Sequence, residues 1–330
     1  MVGEPQDNRS VTSTPASHRP LSFGLIGAAG YIAPRHMKAI RDTGNRLTAA
    51  FDPNDSVGVI DSYFPEAHFF TEFERFDRHA EKIRRRGEGM DYVSICSPNY
   101  LHDAHIRFAL RNHAHAICEK PLVLNPWNLD ALAELEMEGQ ARIYTVLQLR
   151  VHPAIVALRQ QFLGATDMAD VDVTYITSRG RWYHQSWKGD PAKSGGIATN
   201  IGVHLFDMLA WIFGDAKESV VHIHRGDCAA GTMVLQRARV RWFLSVEPQH
   251  LPSEVAAKSQ RTYRAIVVNG QEVEFSEGFA DLHTESYRAV LEGRGFGIAE
   301  ARSSIEIVHG IRNAKPQPLA GDYHPLCRSV

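Results

Sequence analysis

The stretch "SFGLIGAAGYIAPRHMKAI" (22–40) decides the fold. It opens as a short apolar run suited to a buried strand and closes with the spacing of a helix. Gly27 and Gly30 fall at the turn between them, and Ala33 follows three residues later at the helix start. A strand–turn–helix of this kind brings backbone N–H groups up to a pyrophosphate at a helix N-terminus. The spacing is GxxGxxA rather than GxGxxG, so its weight comes from its place at the first strand of the chain. Gly27, Ala29, Gly30, Tyr31 and Ile32 are the candidate cofactor-binding residues of the turn. Asp52 ends the next apolar run, 25 residues after Gly27. A carboxylate there suits the ribose hydroxyls of NAD and would repel a 2′-phosphate, which favours NAD over NADP. The bland alternative is that Asp52 only starts the turn "DPND".

Outward from this stretch the first half alternates. Strand-like runs at 22–27, 46–52, 91–97, 115–119 and 143–149 are separated by helix-like stretches at about 33–43, 73–85, 102–112 and 126–139. Near-continuous apolar strands alternating with helices predict a parallel sheet covered on both faces. After residue 150 the pattern changes. "HPAIVALRQQFLG" (152–164) reads as a helix, while "VDVTYIT" (171–177) and "RVRWFLSV" (239–246) alternate. "YRAIVVNGQEVEFSE" (263–277) holds Asn269-Gly270 between two strand-like runs, a hairpin signal. The expected fold is α/β: an N-terminal Rossmann dinucleotide-binding domain, then an α+β domain with a large, mainly antiparallel open sheet. The expected division is a flexible tail over 1–20, a cofactor domain over 21–150 and a substrate and oligomerisation domain over 151–330. An open sheet with an apolar outer face would call for a partner, often another subunit.

Composition agrees with two globular domains. The chain has 330 residues, 44% hydrophobic and 22% charged. Its 36 basic and 38 acidic residues give a net charge of −2, which offers no electrostatic reason to expect nucleic acid. The run Arg84-Arg85-Arg86 reads as the solvated end of a helix. No run of about 18 apolar residues predicts a membrane span, and the first twenty residues lack the apolar region of a secretory signal. Four cysteines without CxxC spacing read as reduced thiols in a cytoplasmic protein.

Two stretches carry chemistry. "HAICEKPL" (115–122) begins as a buried strand and ends in Glu119-Lys120-Pro121. An unpaired buried ammonium is costly. Ligands in open α/β sheets sit beyond the strand ends, so Lys120 is expected at the mouth of the cofactor site, with Glu119 or Asp207 nearby. Ser97, Pro98, Asn99 and His102 close the preceding strand in the same way. The second stretch, "SGGIATNIGVHLFDMLAWIFG" (194–214), reads as a buried helix from Thr199 to Phe213. Asn200, His204 and Asp207 interrupt it at spacings of four and three, on one face. A structural hydrogen-bond network is the alternative reading of that stripe. The remaining paired histidines lack a completing carboxylate or thiol, so no metal is expected.

These residues resemble the Gfo/Idh/MocA-type NAD-dependent oxidoreductases. The carriers are the turn 27–33, "SPNYLH" (97–102), "EKP" (119–121) and "GGIATNIGVHLFD" (195–207). The likeness is closer to the bacterial subgroup that oxidises UDP-N-acetylglucosaminuronate at C3. "GAAGYIAPRHMKAI", "LQLRVHP" (147–153), the run 178–207 and "DLHTESY" (281–287) all look like that subgroup. The resemblance implies a 3-keto sugar nucleotide as product, destined for a diacetamido uronic acid of surface polysaccharide such as O-antigen. It also implies oligomerisation, with a tetramer favoured, and in some relatives NADH reoxidised in place by 2-oxoglutarate.

The residue chemistry points the same way. A UDP-sugar acid carries two phosphates and a carboxylate, so its site needs cations and donors. Arg150, Arg179, Arg181, Lys188 and Lys193 are the candidate cations, with Tyr183 and Trp187 for apolar ligand faces and Asn200, His204 and Asp207 from the helix. The expected catalytic group is His204 as general base, Lys120 as donor to the reacting oxygen and Asn200 as orienter. Relatives with Asp at the Asn200 position relay a proton through it, which an amide cannot do. Three alternatives remain: the same fold acting on another sugar or an inositol, a non-catalytic NAD- or sugar-sensing regulator, and a plain assembly protein.

Overall fold

A computed structural model describes residues 19–273 and 281–330. The expected tail falls, apart from Arg19 and Pro20, outside the described residues, and so does the hairpin beyond Val273. The first domain holds strands β1 (Ser22–Ile26), β2 (Arg46–Phe51), β3 (His68–Phe70), β4 (Tyr92–Ile95), β5 (His115–Cys118) and β6 (Ile143–Thr145). They pair in parallel in the order β3-β2-β1-β4-β5-β6, the doubly wound arrangement whose crevice lies at the β1/β4 crossover. Helices α1 (Ala33–Asp42), α2 (Phe73–Arg85), α3 (His102–Arg111) and α4 (Pro126–Met137) cover its faces.

The second domain begins with α5 (Pro153–Phe162) and β7 (Ala169–Thr177), followed by the short helices α6 (Arg181–Gln185) and α7 (Pro191–Ser194). Then come α8 (Val203–Phe213), β8 (Ala216–His224), β9 (Cys228–Leu235), β10 (Ala238–Ser245), α9 (Ser253–Ala257), β11 (Thr262–Val268) and β12 (Gln271–Glu272). Its sheet runs β12-β11-β7-β10-β9-β8, antiparallel except where β10 pairs with β7. Val240, Trp242, Leu244 and Val246 of one face pack with α8 in the domain core, as their alternation predicts.

Two features depart from the linear division at residue 150. Helix α10 (Leu282–Leu291) puts Tyr287 and Val290 into one core of the parallel sheet. Helix α11 (Ile298–Asn313) gives Ile298, Ala301 and Ile305 to the other core of that sheet and Ile307, Val308 and Ile311 to the second domain. Residues from both halves of the chain therefore close the Rossmann unit. The outer face of the second sheet is partly covered by the chain itself: Leu326 and Cys327 pack on Ile176, Ala230 and Phe243, and His324 Nε2 lies 2.9 Å from Thr174 Oγ1.

The helical stretch Pro191–Phe213 is long and apolar enough to cross a membrane by length and composition, contrary to the expectation from the sequence. Its apolar window is 78% buried within the protein, where it forms the centre of the second core.

Candidate active site

The turn after β1 is built for close approach. Gly27 has φ +91°, and a Cβ there would lie 2.7 Å from the Cys96 carbonyl carbon at the end of β4. Gly27 and Ala28 donate their N–H groups to the Phe51 carbonyl, and Ala29 donates to Asp52 Oδ2 at 2.9 Å. Asp52 Oδ1 takes the N–H and the amide of Asn54, so the carboxylate is fixed at the rim of the turn. The first turn of α1 has no side-chain cap and no acidic residue, and Tyr31 is 88% exposed beside it. A glycine cradle at the strand end and a fixed carboxylate fit a dinucleotide without a 2′-phosphate.

The other predicted cofactor residues divide. Ser97 Oγ is 2.8 Å from His105 Nδ1, and Asn99 donates its amide to the Ser194 carbonyl, which ties the two domains together. His102 is a correction. It is buried, with its two ring nitrogens 2.7 and 2.9 Å from the carbonyls of Pro121 and Ser97, so neither is left for a cofactor. It joins the ends of β4 and β5 instead. Glu119 is a second correction: its Oε1 faces His36 and His283 and its Oε2 accepts the Lys120 N–H, so both oxygens are engaged within the protein.

Lys120 reaches across to the second domain, where its ammonium donates to the Asn200 carbonyl at 3.3 Å. That carbonyl belongs to a π-helical turn, Ala198–Gly202, at the head of α8. Such turns interrupt the regular ladder and recur at functional sites. The Asn200 amide donates to the Tyr183 hydroxyl at 2.9 Å, and Tyr183 is buried.

The polar stripe does not act as one unit. Asp207 is buried against Arg150 in a two-pronged ion pair at 3.0 and 2.8 Å, and Arg150 also donates to the Glu300 carbonyl. Burial raises the Asp207 pKa, and Arg150 opposes the rise. Both were expected to meet substrate; the structure makes them a strut between α8 and α11. The run read as a strand to residue 149 ends at Thr145, and the 3₁₀ turn Gln148–Val151 directs Arg150 inward. Lys193 is exposed and pairs with Asp190 at 3.6 Å, while Arg181 faces solvent on α6.

What remains in the cleft is cationic. Lys188 stands over the Trp187 ring at 4.1 Å. Burial, with Lys120 and Arg179 beside it, lowers its pKa to about 8. His204 is largely buried, and its pKa lies well below the ordinary value. Desolvation is the first cause, followed by Lys120, while Glu119 opposes and Arg264 adds to the fall. His204 is therefore an uncharged imidazole able to accept a proton, amid cations that would welcome an anion. Arg264, on β11 over the Tyr175 ring, was missed because its segment read only as a hairpin. His36 and His283 were missed because no spacing links residues on α1 and α10. Their donor set with Glu119 could suit a cation. One carboxylate oxygen faces both Nε2 atoms at hydrogen-bond length, however, so the cluster closes without an ion.

Comparison with known proteins decides the family. The model of the oxidoreductase family's NAD-binding Rossmann fold matches residues 21–147, and that of its C-terminal alpha/beta domain matches 156–253. The chain belongs to the Gfo/Idh/MocA oxidoreductase family. Its cofactor is NAD. The WlbA (WbpB) dehydrogenase of Thermus thermophilus is 52% identical, with a TM-score of 0.90 over 92% of this chain and 99% of that one. It has been solved with NAD and UDP-GlcNAcA, and with NAD and alpha-ketoglutarate. The inositol 2-dehydrogenase of Rhizobium meliloti is 26% identical over 82% of this chain and 86% of its own length. The match to the uncharacterized oxidoreductase YgjR of Escherichia coli, at 25% identity, spans 60% of each chain.

Proposed function

We propose that this dehydrogenase oxidises the C3 hydroxyl of UDP-N-acetylglucosaminuronate to the 3-keto sugar. The observation that carries the reading is the cationic cleft: Lys120 and Arg264 act on one uncharged His204, and Lys120 and Arg179 act on Lys188. A neutral sugar or inositol gives so many cations no partner, whereas a uronate and a diphosphate do. The 52% identity to a dehydrogenase solved with UDP-GlcNAcA supports it.

Bound NAD⁺ supplies the hydride acceptor. His204 takes the proton of the reacting hydroxyl, and Lys120 donates to the same oxygen and stabilises the charge that develops there. The Asn200 carbonyl holds the ammonium in place, and Tyr183 locks the Asn200 side chain. Lys188, still mostly protonated at pH 7, attracts the sugar-acid anion. Recycling of NADH by 2-oxoglutarate, assembly as a tetramer and a cytoplasmic role in O-antigen synthesis are parts of the same proposal.

The test is absorbance at the NADH band after mixing the protein with NAD⁺ and UDP-N-acetylglucosaminuronate, with and without 2-oxoglutarate. NADH formation, or keto-sugar formed only with 2-oxoglutarate, is the expected result. Tight UDP-sugar binding without either product would favour the sensing reading, and turnover of inositol alone would sink the sugar-nucleotide one.

A further inference from the structure

Behind Lys120, three buried side chains meet at one atom. Glu119 Oε1 lies 3.0 Å from His36 Nε2 and 2.9 Å from His283 Nε2. His36 Nδ1 lies 2.8 Å from the Tyr287 hydroxyl, which is 2.5 Å from Ser94 Oγ. The Glu119 carboxylate beside Nε2 calls for a proton there, so Nδ1 of the neutral ring accepts, and the Tyr287 phenol, which burial keeps protonated, donates to it. His36 is thereby fixed as the neutral Nε2–H tautomer. The proton inventory then closes: Ser94 donates to Tyr287, Tyr287 to His36, and His36 and His283 both to Glu119. Burial opposes ionisation of Glu119, but the donors from His283 and His36 hold its carboxyl well below the ordinary range. Its second oxygen accepts the Lys120 backbone N–H at 3.3 Å.

We propose that His36 and His283 are positioning residues for the Lys120–His204 pair: the carboxylate they clamp anchors the Lys120 backbone and keeps one buried negative charge beside the site. The proposal rests on the dehydrogenase reading above. Glu119 also faces the thiols of Cys96 and Cys118, which burial keeps protonated, and His102 of α3. His204 faces Lys120, Arg264 of β11 and His283 of α10, which all lower its proton affinity, and Glu119, which raises it.

The experiment compares H283L and H36L, which delete a donor, with H283Q and H36Q, which return an N–H near the place of Nε2. The Leu variants should lose about tenfold or more in kcat with the KM for NAD little changed, and the Gln variants should recover most of it. E119Q removes the charge and should move the acid limb of kcat/KM down by about one pH unit. In parallel, nitrogen NMR of histidine-labelled protein should show His36 as neutral Nε2–H at pH 7. That readout needs no turnover, so it separates failure of the clamp from failure of the substrate assignment. Should a Leu variant not fold, the E119Q profile and the tautomer decide. The proposal is overturned by an Nδ1–H or charged His36, by variants that melt earlier while keeping kcat and the acid limb, or by a stoichiometric metal ion in the purified protein.

Discussion

At the scale of single residues, charge decides what the cleft can do. Lys120→Ala should lower kcat by about 10²–10³-fold, the usual cost of losing a donor to a developing oxyanion. NAD affinity, measured by titration calorimetry, should hardly change; its loss would make Lys120 a cofactor residue. His204 should give a proton-dependent signature. Its pKa in the free enzyme lies well below 6.5 because of desolvation and Lys120. A bound uronate adds negative charge, so the acid limb of kcat should lie at higher pH than that of kcat/KM. Coincident limbs would rule out a carboxylate near His204. Arg150→Met should cost about 3–5 kcal/mol in denaturant unfolding, because it strands Asp207 in the core. A loss confined to substrate KM would restore Arg150 to the substrate site.

Elements explain which of these residues were legible. The glycine turn, Asp52 and Lys120 were readable because each sits at the end of a strand whose apolar run is continuous. Arg150 and Asp207 misled for opposite reasons. One follows a strand that ends four residues earlier than its apolar pattern, and the other lies beyond a π-turn that no periodicity announces. Strand β9, "CAAGTMVL", went unread because small residues replace the branched ones that mark a strand. The reason is packing: a Cβ on Gly231 would lie 2.2 Å from the Val220 carbonyl oxygen and 2.8 Å from Trp242. The same logic gives a prediction for the turn. Gly27→Ala sets a Cβ against backbone at positive φ, so NAD binding should fall by at least tenfold and the melting temperature should drop. Unchanged binding would mean the turn does not approach a pyrophosphate.

For the whole molecule, buried histidines set the response to acid. Burial lowers the pKa of His36, His102, His105, His204 and His324, and brings His105 and His324 to about 4. The unfolded chain therefore binds more protons below pH 6.5 than the folded one does. Stability is fully present above that pH and is lost as the pH falls towards 4, by about 3 kcal/mol each for His105 and His324. Urea midpoints should fall steadily from pH 7 to pH 5, and a flat profile would mean these rings are solvated. The two-domain plan was legible from alternation alone. The return of α10 and α11 to the parallel sheet was not, because each is a single amphipathic helix that names no partner.

That return has a consequence for how the protein is made. The nascent chain finishes the last Rossmann strand at Thr145, but Tyr287, Val290 and Ile298 of its two cores come off the ribosome far later. At about 5–20 residues per second, the half-built unit must wait roughly seven to thirty seconds with apolar surface uncovered. A chaperone that shields emerging chains has its window there.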